Sequence, residues 1–84
     1  MSREKMLTEA QLRWRCRRGV RELDVLFTRF LQQTYLKLNK DQQTAFQSLL
    51  DVQDPIIMYW VYGRSKPEDR KLQGIVDRLA EFVN

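Results

Sequence analysis

Between Val20 and Leu38 the sequence repeats apolar residues at three- and four-residue intervals. Val20, Leu23, Phe27, Phe30, Leu31, Thr34 and Leu38 share one face, with Leu26 and Tyr35 at its edges. That spacing is the signature of an α-helix with one buried stripe; a strand would alternate every second residue. Arg21, Glu22, Arg29 and Gln32 fall on the opposite, solvent-facing side. A helix with so broad an apolar face must be covered by other elements.

The remaining segments supply them, and all read as helices. Thr8-Glu9-Ala10-Gln11 fits a capping box, with Leu7 and Leu12 placed as a hydrophobic staple, and predicts a first helix from Glu9 to Arg18. Its apolar residues form two narrow strips, Leu12 with Cys16 and Ala10 with Trp14. Trp14 suits either a core anchor or a platform for the guanidinium of Arg18, four residues on. Asn39 caps a third helix carrying Ala45, Phe46, Leu49 and Leu50 on one stripe. Asp54-Pro55 reads as a cap followed by proline at the first helical position, and Gly63 closes that fourth helix. The fourth helix, IIMYWVY over residues 56–62, is apolar nearly all round and is expected mainly in the core rather than as a docking surface. Pro67 starts a fifth, with Glu68 and Asp69 in its first turn and Leu72, Ile75, Val76, Leu79, Phe82 and Val83 on one face. The expected fold is all-α, a small five-helix bundle: one domain over residues 7–84 preceded by a flexible tail over 1–6. At 84 residues it can bury about 60–65% of its unfolded surface, enough for one core without staples.

Two absences restrict the chemistry. The chain has no histidine, which removes catalytic triads, Cys–His pairs and most zinc sites. Its single cysteine, Cys16, forbids an intrachain disulfide and reads as a small apolar filler. No catalytic residue, metal ligand or cofactor-binding residue of its own is expected, and the chain is read as a non-enzyme. No segment approaches the length of apolar run that spans a bilayer, so no membrane insertion is expected and the cytoplasm is the expected location.

The positive charge is local. Residues 1–21 carry seven Lys or Arg against two Glu, whereas the rest carry eight against nine acidic residues. Five arginines (Arg13, Arg15, Arg17, Arg18 and Arg21) crowd one stretch that then turns acidic at Glu22 and Asp24, with Gly19 at the change of sign. The pattern predicts helix, tight corner, helix, with Gly19 at the left-handed C′ position and Glu22 exposed. Helix dipoles favour arginine in a last turn and acid in a first turn, which accounts for part of this charge but not for its density. Two classes of function suit such a corner: contact with an acidic protein surface, or a basic helical nucleic-acid-binding or regulatory, antitoxin-type module. Acid at Glu22 and Asp24 opposes the second, because a recognition helix brings its N-terminal residues towards DNA.

The corner also carries a resemblance. Arg18-Gly19-Val20-Arg21-Glu22 matches the RGxxE motif of the SdhE family of succinate dehydrogenase flavinylation and assembly factors, and CRRGVRELD over residues 16–24 resembles its bacterial form. Asp54-Pro55 followed by Trp60 is similar to the family's DPxxxxW segment. The resemblance implies a five-helix, cytoplasmic bacterial protein, monomeric when free, that binds the flavoprotein subunit of succinate dehydrogenase, and of fumarate reductase in some bacteria. It implies promotion of covalent FAD attachment to a histidine of that subunit, FAD belonging to the client. Arg18, Gly19 and Glu22 are carried over as the partner-binding surface; Arg17, Asp24 and Trp60 are added by position.

Overall fold

The computed structural model describes residues 8–83 and contains no strand among them. The proposed tail over 1–6 and the Leu7 half of the staple lie outside the described residues. Five α-helices follow one another: α1 Glu9–Arg15, α2 Arg21–Gln33, α3 Lys40–Leu49, α4 Asp54–Val61 and α5 Arg70–Ala80, with a 3₁₀ turn, Tyr35–Lys37, after α2. The all-α expectation holds.

Most helix starts follow from local chemistry. At α1 the Thr8 hydroxyl accepts from the Gln11 amide and the Gln11 side chain accepts from the Thr8 amide. Asn39 and Gln42 repeat that exchange at α3. At α5 the start differs from expectation: Asp69, not Pro67, begins the helix, because its carboxylate accepts from the amides of Lys71 and Leu72. Pro67 is buried before the helix.

The core forms around α2. Phe27, Phe30 and Phe46 are fully buried, with Phe30 stacked on Phe46 at 5.2 Å between centroids and Phe27 edge-on to it at 5.8 Å. The apolar stripe does not stay on one continuous helix. α2 ends at Gln33, and the 3₁₀ turn carries Tyr35 and Leu38 into the core while Leu36 points outward. Gln43 donates to the Tyr35 carbonyl and Gln47 to its hydroxyl, so the buried ring keeps its polar end satisfied.

α4 closes as expected at Gly63. With φ at 77°, Gly63 is the only residue of positive φ among those described. The Arg64 amide donates to the Tyr59 carbonyl at 2.8 Å and the Gly63 amide to that of Trp60 at 3.1 Å. This is the Schellman pattern, which satisfies two orphan carbonyls. Gly63→Ala is therefore expected to cost about 1–2 kcal/mol, because a Cβ disfavours the left-handed backbone. Denaturant unfolding would read this as a lower midpoint with an unchanged slope.

Gly19 is different. Its φ is not in the left-handed region, which corrects the expected C′ assignment. The reason is that α1 stops at Arg15 with Cys16 as its cap, three residues short of the predicted Arg18 end. Residues 17–20 then cross to α2 without needing a left-handed residue. A Cβ built on Gly19 would meet nothing within 4 Å.

Candidate functional site: a braced charged corner

The link between α1 and α2 is held by one side chain, Arg18. Its Nε donates to Asp54 Oδ1 at 2.8 Å, and Nη2 pairs with the same oxygen at 2.8 Å. Nη2 also donates to the Val52 carbonyl at 2.9 Å, and Nη1 donates to the carbonyls of Leu50 at 2.9 Å and Arg15 at 3.1 Å. Every guanidinium nitrogen is thus used. Arg15 ends α1 and Leu50 caps α3, so the cation gathers carbonyls that helix ends leave unpaired, where the dipoles favour positive charge. The Arg18 side chain is 12% exposed and that of Asp54 19%. Beneath it lies the Phe27 ring, 5.4 Å from the guanidinium carbon to the ring centroid.

Asp54 completes the brace. Its second oxygen accepts from the Val20 amide at 3.4 Å, at the N-cap of α2. Asp54 is itself the first residue of α4, whose N-cap is Gln53; its expected role as the α4 cap is corrected, because the carboxylate is taken up by Arg18. One carboxylate therefore serves the N-termini of both α2 and α4, where negative charge is favoured. The two sequence motifs, RGxxE and DPxxxxW, meet in space through this Arg18–Asp54 pair. A solvent-exposed bridge from Arg15 to Asp51 at 3.1 Å lies alongside and, being exposed, contributes little.

The remaining site residues divide. Arg17, Gly19 and Glu22 are exposed, as expected for Glu22, while Asp24 and Trp60 are half-buried and Trp60 packs against the core. Glu22 and Asp24 stand about 200° apart around α2 and so face different neighbours. Glu22 borders a groove with Met58 and Val61 of α4 and Tyr62 at its C-cap, whereas Asp24 and Arg17 border a groove with Trp14 of α1. The expectation of one exposed charged corner is thereby corrected: Arg18 faces inward, and its neighbours occupy two flanks of the α2 N-terminus.

Two predicted contacts of Trp14 also change. The indole is 71% exposed and not a core anchor, and it is Arg17 that lies over it at 5.7 Å, because α1 ends before Arg18 could extend the helical register. On α4 and its C-cap, Ile57 and Val61 are buried whereas Ile56, Tyr59 and the cap residue Tyr62 are exposed. Most of the aromatic face assigned to the core is surface. The all-round apolar composition of residues 56–62 was the available signal: an eight-residue helix at the edge of a small bundle cannot be covered on every side.

Cys16 is buried within the core, between Arg18 and Asp24 in charge terms. Burial pushes its thiol up from 9.0 to about 12, with Arg18 opposing and Asp24 reinforcing the shift. It remains a neutral filler under ordinary conditions. In the native protein Cys16 is expected to resist thiol reagents at mildly alkaline pH and to react stoichiometrically once denaturant is added. The unfolded chain loses this proton near pH 9.0 while the folded chain keeps it to about 12, so stability should fall as pH rises through that window. Full labelling of the folded protein within minutes would contradict this burial.

Among the described residues no group of three or more His, Cys, Asp or Glu side chains comes together as a metal site, and no helix is long and apolar enough to cross a membrane. Fold and site together define an all-α module that presents a braced, mixed-charge corner beside an uncovered aromatic helix face.

Comparison with known proteins gives that class a family. Residues 10–83 match the profile of Sdh5, described as the flavinator of succinate dehydrogenase. The chain is similar to the FAD assembly factor SdhE of Coxiella burnetii, 35% identical over 76 residues, which cover 90% of this chain and 93% of the relative. It is similar also to the FAD assembly factors SdhE of Idiomarina loihiensis, 40% identical over 75 residues (89% and 83% covered), and of Colwellia psychrerythraea, 39% identical over 77 residues (92% and 85% covered). The chain belongs to the SdhE/Sdh5 family of succinate dehydrogenase flavinators. The resemblance drawn from the two motifs holds, and the nucleic-acid-binding alternative gives way to it.

Proposed function

We propose that this protein binds the flavoprotein subunit of succinate dehydrogenase and promotes covalent attachment of that subunit's FAD, without a catalytic group or a stably bound cofactor of its own. Family membership over residues 10–83 supports the client, and one structural observation carries the mode of action. The Arg18–Asp54 brace ties together the ends of four helices, so Gly19, Arg21 and Glu22 stand on a backbone that does not have to be ordered when a partner arrives. A preorganised edge of this kind contributes affinity by lowering the cost of binding. The histidine-free chain works by positioning: it holds the client's domains where flavin and client histidine can react. The same surface serves the fumarate reductase flavoprotein where that subunit carries covalent flavin, and the free factor acts as a cytoplasmic monomer.

Co-expression with a succinate dehydrogenase flavoprotein subunit, in a bacterial strain lacking its own assembly factor, tests the reading. Covalent flavin, read as in-gel fluorescence of the denatured subunit, should rise when the factor is present. Equal fluorescence with and without it would remove the assignment.

A further inference from the structure

A groove of about 340 Å³ runs between α2 and α4 on the Glu22 side of the corner. Its floor is apolar, with Leu26, Met58 and Val61, and Val25 and Tyr62 rise from its walls, 51% and 50% exposed. What sets them apart from singly exposed apolar residues is that they are gathered with an apolar floor into one contiguous patch, the feature that marks an interaction surface. The charge around it is specific. Arg21, Val25 and Arg29 lie four residues apart along α2, so two exposed cations flank an exposed apolar residue with about 12 Å of helix between their backbones. Neither arginine forms an ion pair within the described residues; Arg29 rests over the Phe82 ring at 5.7 Å. Glu22 borders the same groove, which makes groove and corner one continuous surface.

We infer that this groove receives a segment of the client flavoprotein in which one or two apolar side chains are bracketed by acidic ones. The inference rests on the function proposed above and adds the chemistry of the client segment. Apolar anchors fill the space between Val25 and Tyr62, while carboxylates meet Arg21 and Arg29, the arginines giving register and on-rate and the apolar contact most of the affinity. A nucleic acid strand would satisfy the arginines but leave the apolar floor uncovered and place phosphate beside Glu22. A second copy docked groove to groove would set Arg21 and Arg29 against the same two arginines of its partner.

The experiment is titration of the purified flavoprotein subunit with the full-length factor and three variants: Val25→Asp, the double variant Arg21→Glu with Arg29→Glu, and Arg64→Glu as an exposed charge outside the groove. All replace exposed residues, and circular dichroism checks that each stays folded. The expected result is binding by the wild type that weakens at least tenfold for Val25→Asp and for the double variant, with a shallower salt dependence for the latter. Arg64→Glu should stay within twofold. Wild-type affinity in both groove variants, with the native factor binding normally, overturns the groove assignment and leaves the proposed function standing. No binding by the wild-type factor overturns both. Sedimentation of the factor alone supplies the remaining outcome: a dimer dissolved by Val25→Asp gives the groove to a second copy and overturns the inference.

Discussion

Arg18→Ala is expected to remove about 3 kcal/mol of folding stability, which for a domain of this size lowers the melting temperature by about 15 °C. The sequence pattern treats Arg18 as one of a row of surface arginines. In the folded protein its guanidinium donates to Asp54 and to the carbonyls of Arg15, Leu50 and Val52, at 12% side-chain exposure. Truncation strands a half-buried carboxylate and three carbonyls, and the cost of leaving such groups unpaired exceeds the net value of the bonds lost. Arg18→Lys should recover only part of the loss, since an ammonium cannot fork between Asp54 and carbonyls on two sides. Asp54→Ala should destabilise to a similar degree. The Arg18→Ala/Asp54→Ala pair should then be less unstable than the sum of the singles by about 1–3 kcal/mol, the mark of direct coupling. Thermal and denaturant unfolding followed by circular dichroism measures all four. A melting temperature for Arg18→Ala within a few degrees of wild type would show that the brace is ornamental.

Gly19→Arg and Glu22→Ala are expected to behave in the opposite way, folding normally and failing to support covalent flavinylation. Gly19 lies outside the left-handed region and a Cβ there meets nothing within 4 Å, so the backbone cost falls below the roughly 1–2 kcal/mol that a left-handed glycine would imply. Replacing a glycine in a compatible conformation even restricts the unfolded chain, a gain of about 0.4–1 kcal/mol. Glu22 is exposed and forms no ion pair within the described residues, so its truncation should change stability by under about 1 kcal/mol. A bulky cation at position 19 nonetheless occupies the edge that a client must approach, and loss of Glu22 removes a charge from it. Co-expression with the flavoprotein subunit should then show covalent flavin near the level found without the factor, while Gln32→Ala, also exposed, matches wild type. Full flavinylation by both corner variants would separate this corner from the client interface.

The contrast between Arg18 and Glu22 marks the division between what the sequence by itself determined and what the tertiary structure decided. Local rules sufficed where the partners are close in the chain. The capping box at Thr8, the Asn39 cap and the Gly63 terminus each depend on residues within about five positions of one another, and each formed as read. The buried face of α2 formed as read only as far as Phe30, beyond which the 3₁₀ turn carries Tyr35 and Leu38 inward. Where a competing local partner existed, the stronger one won: the Asp69 carboxylate set the start of α5 ahead of Pro67. The class of fold was also legible from periodicity, and the presence of both RGxxE and the Asp-Pro segment from the motifs' resemblance to the family, but not that the two meet in space.

Direction of side chains at the corner was not legible. Whether an arginine among five turns inward depends on what stands opposite, and Asp54 and the Leu50 carbonyl lie 36 and 32 residues away. The same holds for α4, whose apolar residues were assigned mainly to the core on composition. A helix buries only the faces that other helices reach. Ile57 and Val61 are buried, whereas Tyr59 and Tyr62 remain in water. Composition says how much apolar surface a chain has to hide; only the packed arrangement of α2, α4 and α5 decides which part stays uncovered, and in this protein that part adjoins the charged corner.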